Sequence, residues 1–545
     1  MKTWLLVVTA LASAICTLFS VAPFGFFPAA IAGPALLLVI ALHAKTTKSA
    51  VIWTFVFQLP LWLWLHAWLD HVAIAGWIGL GFYMAFWSPT FVWLIRRVHL
   101  KLHLSAVVTA PVLWVGLECL RGIVIFDGYP WFLAGLGILD WQPVVSIATI
   151  GSVWLASFLV IAIAGLLVTA TTVRWWTVTF VGCVILALYL RPAGFHYFYE
   201  RNSNTLNVAA IQTNVPQSNK VAWSWEKQRS DVADAIQLTY EAASMEPKPG
   251  LIIWPETMLP GAGFSVGKSD FSPYSEEFLP LWYWAKVLRD TVKKIDTPML
   301  VGSQTWLDIH IIEEATSLRI ETGTQFNSAV LVHPDGSSQR YDKAFLTPFG
   351  ERIPYLRAFP ALQNWVRDTF GAAMLFDLHV GKNTEHFTLS AVSKFGDKAE
   401  ITFATPICFE DTVPGVVRNL VWENGERKAE LLINLSNDGW FGDDIAAHTQ
   451  HVREARMRCI ENRTPMVRVA NTGISCYIDI FGNVKKELPV LESGVLSLQV
   501  FSAVQTPASR ILGDWVAWLS LIGSILLIIG SSFKWSECTN DQTNL

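Results

Sequence analysis

Along its first 190 residues the chain is a series of apolar stretches separated by short polar breaks. They run over roughly 4–21, 27–42, 50–69, 72–95, 104–120, 143–170 and 175–190, each near the ~20 residues a helix needs to cross a bilayer. An eighth covers about 512–530. The second is short enough to be re-entrant. Met1-Lys2 ahead of the first resembles the start of a signal peptide, but no small-residue cleavage site precedes another span, which favours a retained anchor.

From Leu206 the period changes. Short apolar runs at 206–212, 251–254, 299–302, 328–332, 401–408, 431–435 and 466–470 predict buried strands. Helical patterns at 224–244, 279–294, 413–424 and 446–462 alternate with them. Asp335-Gly336 marks a hairpin turn into 339–342. The stretches 261–275 and 352–382 are irregular and are the candidates for long mobile loops. The pattern thus predicts a seven-helix membrane domain over 1–190, one large α/β domain over 191–505, and a last helix with a tail over 506–545.

Charge sharpens this division. Only 15% of residues are charged and mean hydropathy is +0.39, against the ~25% charge of an ordinary soluble protein. Residues 1–200 carry nine Lys or Arg and five Asp or Glu; the other 70 charged residues follow. If eight helices alternate, Lys2, Lys45, Lys48, Arg96, Arg97, Lys101, Arg174 and Lys534 fall on one side. The opposite short loops carry Asp70, Arg121, Asp127 and Asp140. Positive charge marks the cytoplasmic side, which places both termini there and the α/β domain across the membrane. Trp114, Glu118 and Arg121 share one helix face. Buried charge at that depth is costly, so Glu118 and Arg121 are expected to pair, either structurally or as part of a substrate contact. Net charge of −4 gives no reason to expect a nucleic-acid partner. Neither a phosphate-binding glycine loop nor a paired CxxC is present, so no cofactor or metal is expected. Whether Cys459 and Cys476 form a disulfide stays open.

Three local sequences put a reactive side chain directly after an expected strand: Leu251-Ile252-Ile253-Trp254-Pro255-Glu256, Tyr341-Asp342-Lys343 running on to Pro348-Phe349-Gly350-Glu351, and Thr405-Pro406-Ile407-Cys408-Phe409-Glu410. Singly, each has an ordinary reading as a solvated Glu, a surface Lys or a core Cys. Together they supply what cysteine catalysis needs. A thiol with a free pKa of ~8.5 requires a base or a positive field, a carboxylate can be that base, and a fixed ammonium can stabilise an oxyanion.

In this order, the WPE, DK…PFGE and ICFE segments resemble the carbon–nitrogen hydrolase (nitrilase) superfamily. The membrane frame, together with DKAFLTPFGERIP, NVPQS at 214–218, NLSNDGWFG at 434–442, RVANTGIS at 468–475, WVGLECLRG at 114–122 and GYPW at 128–131, is similar to its membrane-bound branch, the apolipoprotein N-acyltransferases. The resemblance spans nearly the whole chain. It implies an αββα sandwich facing the periplasm and a Glu256–Lys343–Cys408 triad, with Glu351 orienting Lys343 and Glu410 beside the nucleophile. It also implies an aromatic near the NVPQS segment, either Trp223 or Trp225. Phe409 departs from the Tyr that commonly follows the nucleophile. Trp440 and Phe441 belong either to a loop over the site or to the core. The implied reaction moves an acyl chain from a membrane phospholipid, through a Cys408 thioester, to the α-amine of a diacylglyceryl-apolipoprotein, with a monomer expected. The alternatives are a membrane-tethered amidase using the same triad and a catalytically dead scaffold.

Overall fold

The computed structural model describes residues 1–142, 144–169, 182, 199, 201–216, 223–314, 317–352, 354–355, 361, 378–382 and 385–533. The apolar stretches become α1 (Thr3–Ser20), α2 (Phe27–His43), α3 (Thr47–Leu65), α4 (Ile74–Ala85), α5 (Trp87–Leu102), α6 (Ala106–Cys119) and α7 (Ala148–Thr169), with a final helix Trp515–Gly530. Among the described residues, five apolar segments are long enough to cross a membrane, α4 and α5 counting as one, and α2 and the final helix are shorter apolar helices. The stretch expected over 175–190 lies outside the described residues, apart from Gly182.

The fourth stretch runs on to Leu102, beyond the boundary expected at 95, because its terminal arginines have partners. Arg96 donates to the Ala41 carbonyl (2.6 Å) and Arg97 to the Ser531 and Ser532 hydroxyls (2.8 and 2.7 Å). The N-terminal ammonium reaches the His43 carbonyl (2.7 Å). The C-terminal ends of α2, α5 and the final helix therefore share one end of the bundle, where Arg96 and Arg97 lie. Close packing holds α6 to the final helix at Gly116, where a Cβ would meet Ser524 Oγ at 2.3 Å and the Ser520 carbonyl at 2.9 Å.

Residues beyond 204 fold as two sheet halves with helices outside. One half joins β1 (Thr205–Gln212), β2 (Leu251–Ile253), β3 (Met299–Glu313), β4 (Leu318–Val332) and β5 (Ser338–Asp342). The other joins β6 (Phe387–Val392), β7 (Lys398–Ala404), β10 (Leu431–Ser436), β11 (Met466–Ala470), β12 (Cys476–Ile478) and β13 (Val484–Glu487). A small ribbon, β8 (Trp422–Glu423) and β9 (Glu426–Arg427), stands apart, and β14 (Gly494–Phe501) pairs antiparallel with β1. Among the described residues, the halves touch in register only at Thr205–Val392. Alternation along β1 explains the layering: Leu206, Val208 and Ala210 join the core between the sheets, whereas Ala209 and Ile211 pack under the helices Trp225–Ala243 and Leu279–Ile295. The result is a nitrilase-like αββα sandwich. The irregular stretch 261–275 is anchored by buried Ala262, Val266 and Phe271, while Ser265, Lys268, Ser269, Asp270, Ser272 and Pro273 are exposed. Most of 352–382 lies outside the described residues. Cys459 and Cys476 are buried free thiols.

The sandwich sits on the end of the bundle opposite its basic end. Helix Ile445–Asn462 lies against α7. α7 breaks at Gly151–Ser152, and Glu461 takes up the freed groups, accepting from Ser152 Oγ and Val153 N–H at 2.6 Å each. Arg453 and Arg456 both pair with Asp140 at 2.7 Å.

Candidate active site

Glu256, Lys343 and Cys408 converge from the ends of β2, β5 and β7. Pro255 ends the ladder after β2, so the chain turns and Glu256 points inward. β3 passes directly beneath, at Gly302, where a Cβ would lie 2.5 Å from the Glu256 Cα. Glu256 is nearly buried. Its carboxylate accepts from Asn327 Nδ2 (2.7 Å) and from the Asn437 N–H (2.8 Å). Lys343 is fully buried, with Nζ 2.7 Å from Glu351 and 3.6 Å from Glu256. Burial alone would lower its pKa, but the Glu351 and Glu256 carboxylates override that and hold it above the usual lysine value. Glu351, for which burial acts upward, is held below the usual carboxylate range by Lys343.

Cys408 opens a 3-10 turn, Cys408–Thr412, with φ +50°. A non-glycine residue in that region is uncommon and marks a constrained turn. Asn434 Nδ2 fastens the turn by donating to the Pro406 and Cys408 carbonyls (3.1 and 3.3 Å). Burial raises the thiol well above its ordinary pKa, the Glu256 charge adds to that, and Lys343 opposes it. The direction of that shift favours the protonated thiol.

Glu410 ties the Cys408 turn to the lysine segment. It accepts from Ala344 N–H (2.7 Å), Phe345 N–H (2.8 Å), Ile407 N–H (2.8 Å) and Tyr341 OH (3.0 Å). Burial pushes its pKa up to about 7 against these donors. Phe409 stacks between Phe345 and Tyr129, with centroids 6.2 and 6.4 Å away. The Phe409 ring thus lies against Tyr129 in the loop after α6, whose hydroxyl is 3.1 Å from His66 Nε2.

Other expected positions resolve differently. Trp225 packs on Tyr283 and Trp284 in the outer helical layer, and Trp223 donates to Asp231 at 2.8 Å. Phe441 is buried against Trp68, Trp131 and His451, a core role at the junction; its neighbour Trp440 lies in the same short turn, Asp438–Phe441. Glu118 and Arg121 do not pair with each other. Glu118 accepts from Trp114 Nε1 (2.9 Å) and Ala134 N–H (2.7 Å), while Arg121 donates to the carbonyls of Tyr129 (3.0 Å) and Trp131 (2.6 Å). At that depth backbone groups need partners as much as charges do, and the GYPW loop supplies more of them.

Two features escaped the sequence reading. Asn327, in β4, donates from one amide nitrogen to both carboxylates flanking Lys343, Glu256 at 2.7 Å and Glu351 at 3.0 Å. Behind the Cys408 turn, Arg468 is 2.8 Å from Asp438, and His451 sits between Asp411 (2.9 Å) and Asp438 (3.2 Å). Burial would lower the His451 pKa, but the two carboxylates push it up to about 9.

Two family models match. The carbon–nitrogen hydrolase model covers residues 207–507, and the apolipoprotein N-acyltransferase N-terminal domain covers 13–166. Among similar proteins, an apolipoprotein N-acyltransferase of Vibrio parahaemolyticus is 26% identical, with 94% of each chain covered. One from Geobacter metallireducens is 28% identical over 82% of this chain and 78% of its own. Another from Pseudomonas putida is 28% identical, with 95% of each chain covered.

Proposed function

This chain belongs to the carbon–nitrogen hydrolase family, in its apolipoprotein N-acyltransferase branch, and we propose that it moves an acyl chain from a glycerophospholipid through Cys408 to the α-amine of a diacylglyceryl-apolipoprotein. The observation that carries this reading is the placement of the site. The residue after the nucleophile, Phe409, stacks on Tyr129 of the membrane region, so the reactive turn abuts the helices that would hold two amphiphilic substrates.

In the first step Glu256 takes the Cys408 proton as Sγ attacks the ester carbonyl. Lys343 stabilises the oxyanion. As the C–O bond breaks, the proton passes from Glu256 to the leaving lysophospholipid oxygen. In the second step the neutral amine attacks the thioester carbonyl, its proton passes to Glu256 and then to the departing sulfur, and the thiol is restored. Holding both substrates beside the triad supplies orientation that free encounter lacks. The catalytic domain faces the periplasm and both termini the cytoplasm, in keeping with the basic end of the bundle.

Intact mass of the full-length protein with phospholipid, wild type beside Cys408→Ser, tests this. An acyl adduct on the wild type alone, discharged by hydroxylamine or by a diacylglyceryl-cysteine peptide with N-acylated product, is expected. Release of free fatty acid without N-acylated peptide would establish hydrolysis instead.

A further inference from the structure

Resting on that reading of the site, we infer that Asp127, in the loop after α6, is a positioning residue that fixes Lys343 through Arg352 and Glu351. The segment after Lys343 folds as a tight turn: the Glu351 N–H donates to the Thr347 carbonyl (2.9 Å) and the Phe349 N–H to the Arg352 carbonyl (2.6 Å). Two consecutive side chains leave this turn in opposite senses. Glu351 enters the site, 2.7 Å from Lys343 Nζ and accepting from Thr347 N–H at 2.8 Å. Arg352 leaves it and pairs with Asp127.

Further contacts hold the same two segments together. The Phe349 ring lies edge-on to Phe126, 5.3 Å between centroids. The Tyr355 hydroxyl accepts from Phe126 N–H (3.0 Å) and donates to the Val124 carbonyl (3.2 Å). Phe126, Asp127, Phe349 and Tyr355 all have φ between 57° and 63°. Non-glycine residues keep such backbone only where surrounding contacts hold them.

The consequence is chemical. Lys343 Nζ lies between two carboxylates, nearer to Glu351 than to Glu256. If the turn drifts from the membrane loop, Glu351 retreats and Lys343 closes on Glu256. The oxyanion then loses its cation and the base is engaged by an ammonium. The turnover step suffers while phospholipid binding does not.

Single-turnover acylation of Cys408, followed by intact mass on the full-length protein in phospholipid–detergent micelles, separates the possibilities. Asp127→Asn is expected to lower the saturating rate about tenfold, since ångström-scale misplacement is costly, with the half-saturating phospholipid concentration unchanged. The milder Tyr355→Phe should lower it by roughly 2–3-fold by the same argument. Asp127→Arg should be slower than Asp127→Asn, and Asp127→Arg combined with Arg352→Asp should recover to within about threefold of wild type. A wild-type rate for Asp127→Asn, a loss seen wholly as a raised half-saturating concentration, or a charge swap no faster than Asp127→Arg overturns the inference alone. No adduct on the wild type overturns the reading of the site and takes this inference with it.

Discussion

At the scale of single residues, the state of the Cys408 thiol decides which kind of cysteine chemistry the proposed mechanism can use. Some thiol enzymes rest as a thiolate paired with a cation; the surroundings of Cys408 argue against that here. Burial and the Glu256 charge raise its pKa, and Lys343, already committed to Glu351, only partly offsets them. A group with a raised pKa stays protonated at neutral pH, and its thiolate grows only as pH rises. Alkylation of Cys408 by iodoacetamide should therefore be at least about tenfold slower at pH 7.5 than for a cysteine peptide of pKa ~8.5. The rate should climb steadily beyond pH 9 without levelling off. Lys343→Met removes the lowering influence of the ammonium and should slow alkylation further. A fast reaction that levels off below pH 7 would mean a resting thiolate and would remove the need for Glu256 as base. The convergence of Glu256, Lys343 and Cys408 was legible in the sequence, because each follows a strand and a Pro or a turn marks the exit. Asn327 was not, since an Asn inside an apolar strand carries no local sign that its amide will bridge two carboxylates brought from 71 and 24 residues away.

At the scale of elements, helix Ile445–Asn462 is amphipathic in an unusual sense. Its buried positions include His448, His451, Arg453, Glu454, Arg458 and Glu461, so it seats on polar partners from two domains. Hydrophobic period placed its ends within a residue but could not say what its charges meet. The same limit explains β3 and β4, expected as short runs over 299–302 and 328–332. They continue to Glu313 and back from Leu318 as a solvated hairpin, whose outer residues are polar on one face. β14 was missed although Leu496, Leu498 and Val500 alternate inward, because its partner β1 lies nearly 300 residues away in the chain. The seating has a measurable worth. Glu461→Ala would leave Arg458, Ser152 Oγ and the Val153 N–H without their carboxylate. Breaking a buried pair of this kind costs about 3–5 kcal/mol, so the thermal midpoint of the purified protein should fall by about 5 °C or more. Glu461→Gln keeps an acceptor for the two helix groups and should lose less. An unchanged midpoint for Glu461→Ala would mean that the junction at α7 contributes little to holding the domains together.

At the scale of the whole molecule, the basic end of the bundle and the catalytic domain occupy opposite ends, and the chemistry requires that separation to have a direction. Arg96, Arg97 and Lys45 gather where α2, α5 and the final helix end, while Asp127 and Asp140 meet the sandwich. If positive charge faces the cytoplasm, both substrates are met on the outer leaflet. Single cysteines at exposed positions read this out. Lys398→Cys, on the solvent face of β7, should react with a membrane-impermeant maleimide in intact spheroplasts. Lys45→Cys, between α2 and α3, should react only after the membrane is opened, and the unsubstituted chain, with its own seven cysteines, sets the background. The reverse pattern would place the triad in the cytoplasm. The acceptor would then have to be acylated before export, and the basic end would face outward against the charge rule. Equal labelling of both positions in intact spheroplasts would mean that one of them lies within the bilayer's reach of both sides, which a bundle with Lys45 and Lys398 at opposite ends does not permit.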